Sequence, residues 1–195
     1  MIIGITGGTG SGKTTALKAI RDLDGLVLDC DAIYHKLLKT DNALLAAIEA
    51  AFPGCTEDGV LLRKKLGTIV FGDKEALAVL NRITHGAVKE EVLRQLETKP
   101  KLAAIDAIGL FESGLNELCD MTVAITAPQE MRIARLMKRD NISKEYALSR
   151  ILAPPGDETF AQRCDHVLVN DTAETAFYKK CLAFFEQNCI MKEKQ

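Results

Sequence analysis

The sequence predicts an α/β fold in which a parallel sheet of five strands carries helices on both faces, with a helical insertion and a helical lid. Three observations predict it. Strand-like and helix-like segments alternate along the chain. The first strand runs straight into a glycine loop that opens a helix. The strands are also unevenly spaced, which marks where extra helices are inserted.

The elements follow in order. Ile2–Thr6 is a short apolar run of the kind that forms a buried parallel strand. Thr14–Arg21 opens a helical pattern, and Gly25–Asp29 reads as the second strand. Residues 30–101 lie between the second strand and the third, far more than one crossover helix needs. They read as helices over Ala32–Leu38, Asn42–Phe52, Arg63–Phe71 and Lys74–Glu97. Leu102–Asp106, Met121–Thr126 and His166–Val169 are the third, fourth and fifth strands. Between the last two lies Gln129–Leu152, rich in Arg and Lys, followed by Pro154-Pro155-Gly156. Two helices joined by a short turn fit that stretch, as in a lid over a nucleotide. Ala173–Cys189 reads as a final amphipathic helix, with a charged, frayed end over Lys192–Gln195. The chain is expected to be one domain: core 1–31, 99–128 and 164–195, insertion 32–98, lid 129–163.

The loop itself carries the chemistry. Gly7-Gly8-Thr9-Gly10-Ser11-Gly12-Lys13-Thr14 matches the phosphate-binding pattern G-x-x-x-x-G-K-[ST], and it sits in the right context of strand, loop and helix. Its glycines let the backbone curl so that N–H groups point at phosphate oxygens. The helix N-terminus adds partial positive charge. Lys13 is placed to reach the β- and γ-phosphates, and the Thr14 hydroxyl to hold Mg²⁺. Gly8, Thr9, Gly10, Ser11, Gly12, Lys13, Thr14 and Thr15 are therefore the expected ATP-binding residues, within a three-layer P-loop NTPase fold.

Bulk composition narrows the function. The chain has 195 residues, 47% hydrophobic and 27% charged, with net charge −2. These values fit a soluble globular protein and argue against a general nucleic-acid binder, which needs a basic excess. No apolar run reaches membrane-spanning length, and the N-terminus enters a strand without a charged leader. The six cysteines form no C-x-x-C pair and read as scattered thiols, so a cytoplasmic location is expected.

Further residues complete a site. Asp29-Cys30-Asp31 follows the second strand, whose carboxyl end faces the same crevice as the phosphate loop. A carboxylate there accepts a proton from an attacking hydroxyl, and Asp31 is the candidate base; its alternative role is to cap the helix from Ala32. Alternation along an extended strand puts Asp29 and Asp31 on one face. Asp106 ends the third strand, either in the metal shell or as a turn cap. Arg132, Arg135 and Arg139 share one helical face, and Arg139 is the candidate lid arginine. Arg63, Lys64, Lys65 and Arg82 lie in the insertion, where an anionic second substrate needs cations, and His85 is in the same region.

Together these segments resemble the dephospho-CoA kinase family over most of the chain. Ile5–Thr15 looks like its phosphate loop, and Asp29-Cys-Asp31 like its Asp-Ala-Asp. Asp58-Gly-Val-Leu-Leu-Arg-Lys-Lys-Leu66 with Phe71 resembles its D-G-x-x-x-R-x-x-L…F. Leu80–His85 is similar to its L-N-x-x-x-H-P, Asp106–Glu112 to its D-V-P-L-L-F-E, and Arg135–Asp140 to its R-L-x-x-R-D. Gly86 stands in place of the Pro after His85, and Asn170-Asp-Thr172 in place of an Asn-x-Gly near the adenine. The resemblance implies transfer of the ATP γ-phosphoryl group to the ribose 3′-hydroxyl of dephospho-CoA, with Mg²⁺. It makes Asp31 the general base, Arg139 the lid arginine, and Arg63 and His85 part of the CoA-binding region. The alternatives are a kinase for another small acceptor (a nucleoside, nucleotide or sugar) or a nucleotide-binding relative impaired in catalysis. Neither a nucleic acid nor a membrane is an expected partner, and the oligomeric state is not legible.

Overall fold

The computed structural model describes residues 1–153 and 156–192. The Pro154-Pro155 turn and the expected frayed end beyond Lys192 lie outside the described residues, as do the side chains of residues 190–192. The chain divides into two compact units, Met1–Leu28 with Lys99–Gln195, and Asp29–Thr98.

The first unit is built on strands β1 (Ile2–Thr6), β5 (Ala103–Asp106), β6 (Met121–Thr126) and β7 (His166–Val169). With β2 (Leu26–Asp29) they form a five-stranded sheet in the order β2-β5-β1-β6-β7. The β1–β5, β1–β6 and β6–β7 pairs are parallel, as the alternation with helices requires. Ile5 pairs with Asp106, so Asp106 ends its strand beside the start of the phosphate loop. Helix α1 (Lys13–Asp22) buries Ala16, Leu17, Ala19 and Ile20 while Lys18 and Arg21 stay exposed. Its alanines let it lie close to the sheet. Helix α9 (Glu174–Lys192) presents Phe177, Cys181 and Phe185, one turn apart, to the core of Ile3, Ile5, Val123 and Ile125. Each of the fully buried Phe, Ile and Val side chains among these contributes about 1.5–3 kcal/mol of burial free energy.

Gln129–Leu152 forms two helices, α6 (Gln129–Asp140) and α7 (Lys144–Leu152), and among the described residues a further short helix that was not expected, α8 (Asp157–Arg163), follows. Asn141 ends α6 in the left-handed conformation at φ 52°, and Ser143 caps α7 through the Tyr146 N–H. Ile133, Leu136, Ala147 and Ile151 pack α6 and α7 into a hairpin.

The second unit contains α2 (Cys30–Thr40), α3 (Asn42–Ala51), a hairpin of β3 (Thr56–Glu57) and β4 (Val60–Leu61), α4 (Arg63–Val70) and α5 (Lys74–Leu96). It has its own core of Leu38, Leu44, Leu45, Ile48, Phe52, Leu61, Leu66 and Val70. The hairpin turns at Asp58-Gly59, a two-residue turn sequence. Glu49 braces the hairpin, its carboxylate accepting from the Thr56 N–H at 2.7 Å and hydroxyl at 2.8 Å, and from the Gly54 N–H. Those bonds, Gly54 first, hold its carboxyl below the usual range.

Helix α2 corrects the reading of the acidic pair. It begins at Cys30, not Ala32, and Asp29 is its cap, accepting from the Ala32 N–H at 2.9 Å. The strand ends at Asp29, so strand alternation does not relate the two acids, and Asp31 stands in the first helical turn. None of the six cysteines, all of which lie among the described residues, is in a disulfide. Burial pushes Cys119 and Cys181 up to about 12, which makes both poor nucleophiles. Among the described residues, no helix is long and apolar enough to cross a membrane.

Candidate active site

The phosphate loop is held by its carbonyls. Arg132 donates from Nε to the Thr9 carbonyl at 2.8 Å. Arg135 donates from Nη1 to the carbonyls of Gly10 at 3.3 Å and Ser11 at 3.4 Å. Asn170 donates from Nδ2 to the Ser11 carbonyl at 2.8 Å and accepts from Arg135 Nη2 at 3.0 Å. Three consecutive carbonyls are thus taken by donors from outside the loop. In a trans peptide the carbonyl and the following N–H point opposite ways. The N–H groups of Gly10 and Gly12 therefore face away from these donors, while that of Ser11 closes a turn on the Gly8 carbonyl at 3.2 Å. This is the polarity a phosphate cradle needs.

Three glycines of the loop are required by space: a Cβ on Gly7, at φ 145°, would collide with the Ile125 carbonyl. Gly12 has φ 100°, and a Cβ on it would collide with the Asn170 amide. A Cβ on Gly8 would collide with the Arg132 guanidinium. Lys13 donates from Nζ to the Gly7 carbonyl at 2.8 Å, which folds its side chain back over the loop. Thr14 is exposed at the second position of α1, where its hydroxyl is open to a ligand. The Ser11 hydroxyl is buried without a hydrogen-bond partner.

Beside the loop is a cavity of about 190 Å³ lined by Gly12, Thr14, Thr15, Arg135, Asn170 and Glu174. Burial lowers the Arg135 pKa from its ordinary value and Glu174 opposes the shift. Asn170 is 3% exposed and its N–H is tied to the Thr126 carbonyl at 2.7 Å, so β6 fixes its position.

Of the three arginines on α6, the structure brings two to the loop. Arg139 instead pairs with its neighbour Asp140 at 2.6 Å, and Asp140 also binds Arg150 at 2.5 Å. The reason is height along the helix: Arg132 and Arg135 reach the loop from the first two turns of α6, and Arg139 is in its last turn. Arg132 makes a second bond to Asp157 of α8 at 2.6 Å. At the other end of α8, Arg163 pairs with Glu112 and stacks over the Phe111 ring at 4.2 Å. Thr6 donates to the Ile108 carbonyl at 3.2 Å, tying the segment after Asp106 to β1.

The second unit gathers a different set. Asp31 and His35 are exposed and one turn apart on α2. Arg63, first residue of α4, donates from Nη2 to His35 Nδ1 at 3.3 Å, which places the ring proton on Nε2. Tyr34 lies beside His35 with ring centroids 5.7 Å apart. Burial pushes its hydroxyl up, against the nearby Arg63 charge. His35 and Tyr34 were not singled out from sequence, because His35 and Arg63 lie 28 residues apart. His85 is half-buried on α5 between buried Thr84 and Val88, and Arg82 is exposed on the same helix.

A five-stranded P-loop α/β fold with a phosphate cradle, a cavity beside it and an arginine-bearing helix after β6 defines the P-loop kinase class. Similarity to known proteins makes the class specific. Residues 1–175 match the family model for dephospho-CoA kinase. The chain is 36% identical over 191 residues to a dephospho-CoA kinase of Listeria innocua, covering 95% of this chain and 96% of that protein. It is 38% identical over 165 residues to one of Moorella thermoacetica, covering 81% and 77%. A crystal structure from Thermus thermophilus superposes with a TM-score of 0.81 at 31% identity, over 96% of this chain and 97% of that one. A dephospho-CoA kinase from Campylobacter jejuni gives 0.69 at 26% identity, over 98% of each. Shikimate kinase from Aquifex aeolicus, 17% identical with a TM-score of 0.52 over 96% and 98%, shares the fold. The chain belongs to the dephospho-CoA kinase family.

Proposed function

We propose that the protein transfers the γ-phosphoryl group of ATP to the ribose 3′-hydroxyl of dephospho-CoA, giving coenzyme A and ADP. The observation that carries the donor half is the row of Thr9, Gly10 and Ser11 carbonyls bonded from outside, which turns the loop toward an anion. Family membership carries the acceptor.

Phosphoryl transfer asks a protein mainly for positioning and charge neutralisation. The loop N–H groups and Lys13 bind the β- and γ-phosphates, and Lys13 leaves the Gly7 carbonyl to do so. The cavity at Asn170 and Glu174 takes the nucleoside. Asp31 receives the hydroxyl proton of the acceptor. Its carboxylate is available because Asp29 caps the helix instead. Arg63, oriented by His35, meets the anionic part of the acceptor, with His85 in the same region. Arg139 exchanges Asp140 for the transferring phosphoryl group. The hard oxygens of Thr14 and Asp106, at the loop and at the neighbouring strand end, suit Mg²⁺. Bound there, it would neutralise charge on the β- and γ-phosphates.

The test is ADP release with ATP and a panel of acceptors: dephospho-CoA, adenosine, a nucleoside monophosphate and shikimate. Turnover with dephospho-CoA at least a hundredfold above the others is expected. Faster turnover with any other acceptor reassigns the substrate, and ATP binding without ADP release for any of them reassigns the protein as an inactive relative.

A further inference from the structure

Among the described residues of the donor unit Arg132 is the most buried charged side chain, 4% exposed, and its ion pair has no part in the chemistry proposed above. Its guanidinium is divided between two tasks. Nε holds the Thr9 carbonyl at 2.8 Å, and Nη1 holds the Asp157 carboxylate at 2.6 Å. Its main chain also lies against the loop, with the Arg132 carbonyl 3.2 Å from where a Cβ on Gly10 would stand. Burying an ion pair is poor value as a source of stability, because desolvation offsets most of the attraction. What the pair supplies is direction. The Thr9 carbonyl is the first of the three that set the loop's polarity, and Arg132 Nε is the side-chain donor that holds it. Fixing it turns the Gly10 N–H the other way, toward the phosphates.

We propose that Arg132 and Asp157 are positioning residues for ATP: Asp157, at the start of α8, locks the Arg132 guanidinium so that Nε pins the Thr9 peptide in its phosphate-binding orientation. The proposal rests on reading Gly7–Thr14 as the ATP phosphate loop. It assigns α8 a role in donor binding, since the helix is joined to the loop at Asp157 and to the Phe111–Glu112 segment at Arg163.

Atom placement makes this testable. The Nε2 of glutamine occupies the same place along the side chain as the Nε of arginine, so Arg132→Gln keeps a donor for Thr9 and loses the ion pair. Arg132→Met keeps the apolar stem and loses both bonds. ATP is titrated calorimetrically into the parent, Arg132→Met, Arg132→Gln, Asp157→Asn and the Arg132→Gln/Asp157→Asn pair, with an unfolding midpoint for each. The expected result is about tenfold weaker ATP binding for Arg132→Met, the scale of one lost hydrogen bond to a charged group. Arg132→Gln restores most of that affinity while sharing the lowered midpoint of Arg132→Met. Asp157→Asn weakens ATP in the parent but not in the Arg132→Gln background.

If Arg132→Gln binds ATP as weakly as Arg132→Met, with affinity tracking the midpoint, the pair is merely structural and the proposal falls. It falls equally if Arg132→Met stays within twofold of the parent. Should Arg132→Met not fold, the two Asp157→Asn comparisons decide alone, because Asp157 is partly exposed and asparagine matches its shape. A parent protein that does not bind ATP at all overturns the reading of the loop rather than the role of the pair within it.

Discussion

The phosphate loop and the Asp31 face of the second unit differ in how far each is assembled. The loop has three successive carbonyls bonded by side chains from α6 and from the end of β7, and its lysine is bonded to Gly7. The Asp31 face has one long hydrogen bond, from Arg63 to His35, between exposed side chains. On the proposed function, donor recognition is built into the backbone, where glycine and arginine fix it. Acceptor recognition on the same reading is left to exposed charged side chains on helix surfaces. A substrate common to a whole fold class suits the first arrangement, and a particular acceptor suits the second.

The comparison breaks most sharply at Lys13. Lys13→Ala is expected to lower kcat/KM by about a thousandfold, the scale of a lost charge in a preorganised site. Steady-state kinetics with ATP and dephospho-CoA measure it, and a loss under tenfold removes Lys13 from the phosphates. Next come two arginines, one on each side. Arg135→Ala is expected to weaken ATP by about tenfold, having lost its bonds to the loop, while leaving the KM for dephospho-CoA unchanged. Arg63→Ala is expected to do the reverse, raising the acceptor KM about tenfold with ATP binding intact. Paired KM values that move together in both variants contradict the division of labour.

The smallest effect concerns pH. Arg139, and then Arg150, hold the Asp140 carboxyl at about 2, below its ordinary 3.8. A depressed folded-state value means that the clasp between α6 and α7 is fully present above 3.8 and is lost as pH falls toward about 2. The difference in thermal midpoint between the parent and Asp140→Asn should be constant from neutral pH down to that window and shrink within it. A constant difference down to pH 2 shows that the clasp carries no such linkage.

The donor half was legible because its signal is local. Four glycines, a lysine and a threonine in one octamer specify the loop, and the preceding apolar run specifies the strand. The five sheet strands and the four insertion helices followed from periodicity, to within a residue or two at most ends. The α3–α4 hairpin was marked only by Asp58-Gly59, and its two-residue strands are too short to show alternation. Helix α8 has seven residues, shorter than a periodic signal needs. Helical spacing placed Arg132, Arg135 and Arg139 on one face but could not say which height meets the loop. Asp29 and Asp31 were hard to separate for a similar reason: either can cap a helix, and the choice depends on where the helix starts. The His35–Arg63 contact joins residues on two helices, and nothing local in either announces the other.

Asp31 is the proposed base, so Asp31→Asn tests the account most directly. ATP affinity and single-turnover formation of coenzyme A, detected by mass, are measured on the same preparation. The account predicts ATP binding within twofold of the parent and a rate lower by about a hundredfold or more, the contribution of a general base. A near-normal rate with intact ATP binding would remove Asp31 as the base and with it the assignment of this face to the acceptor.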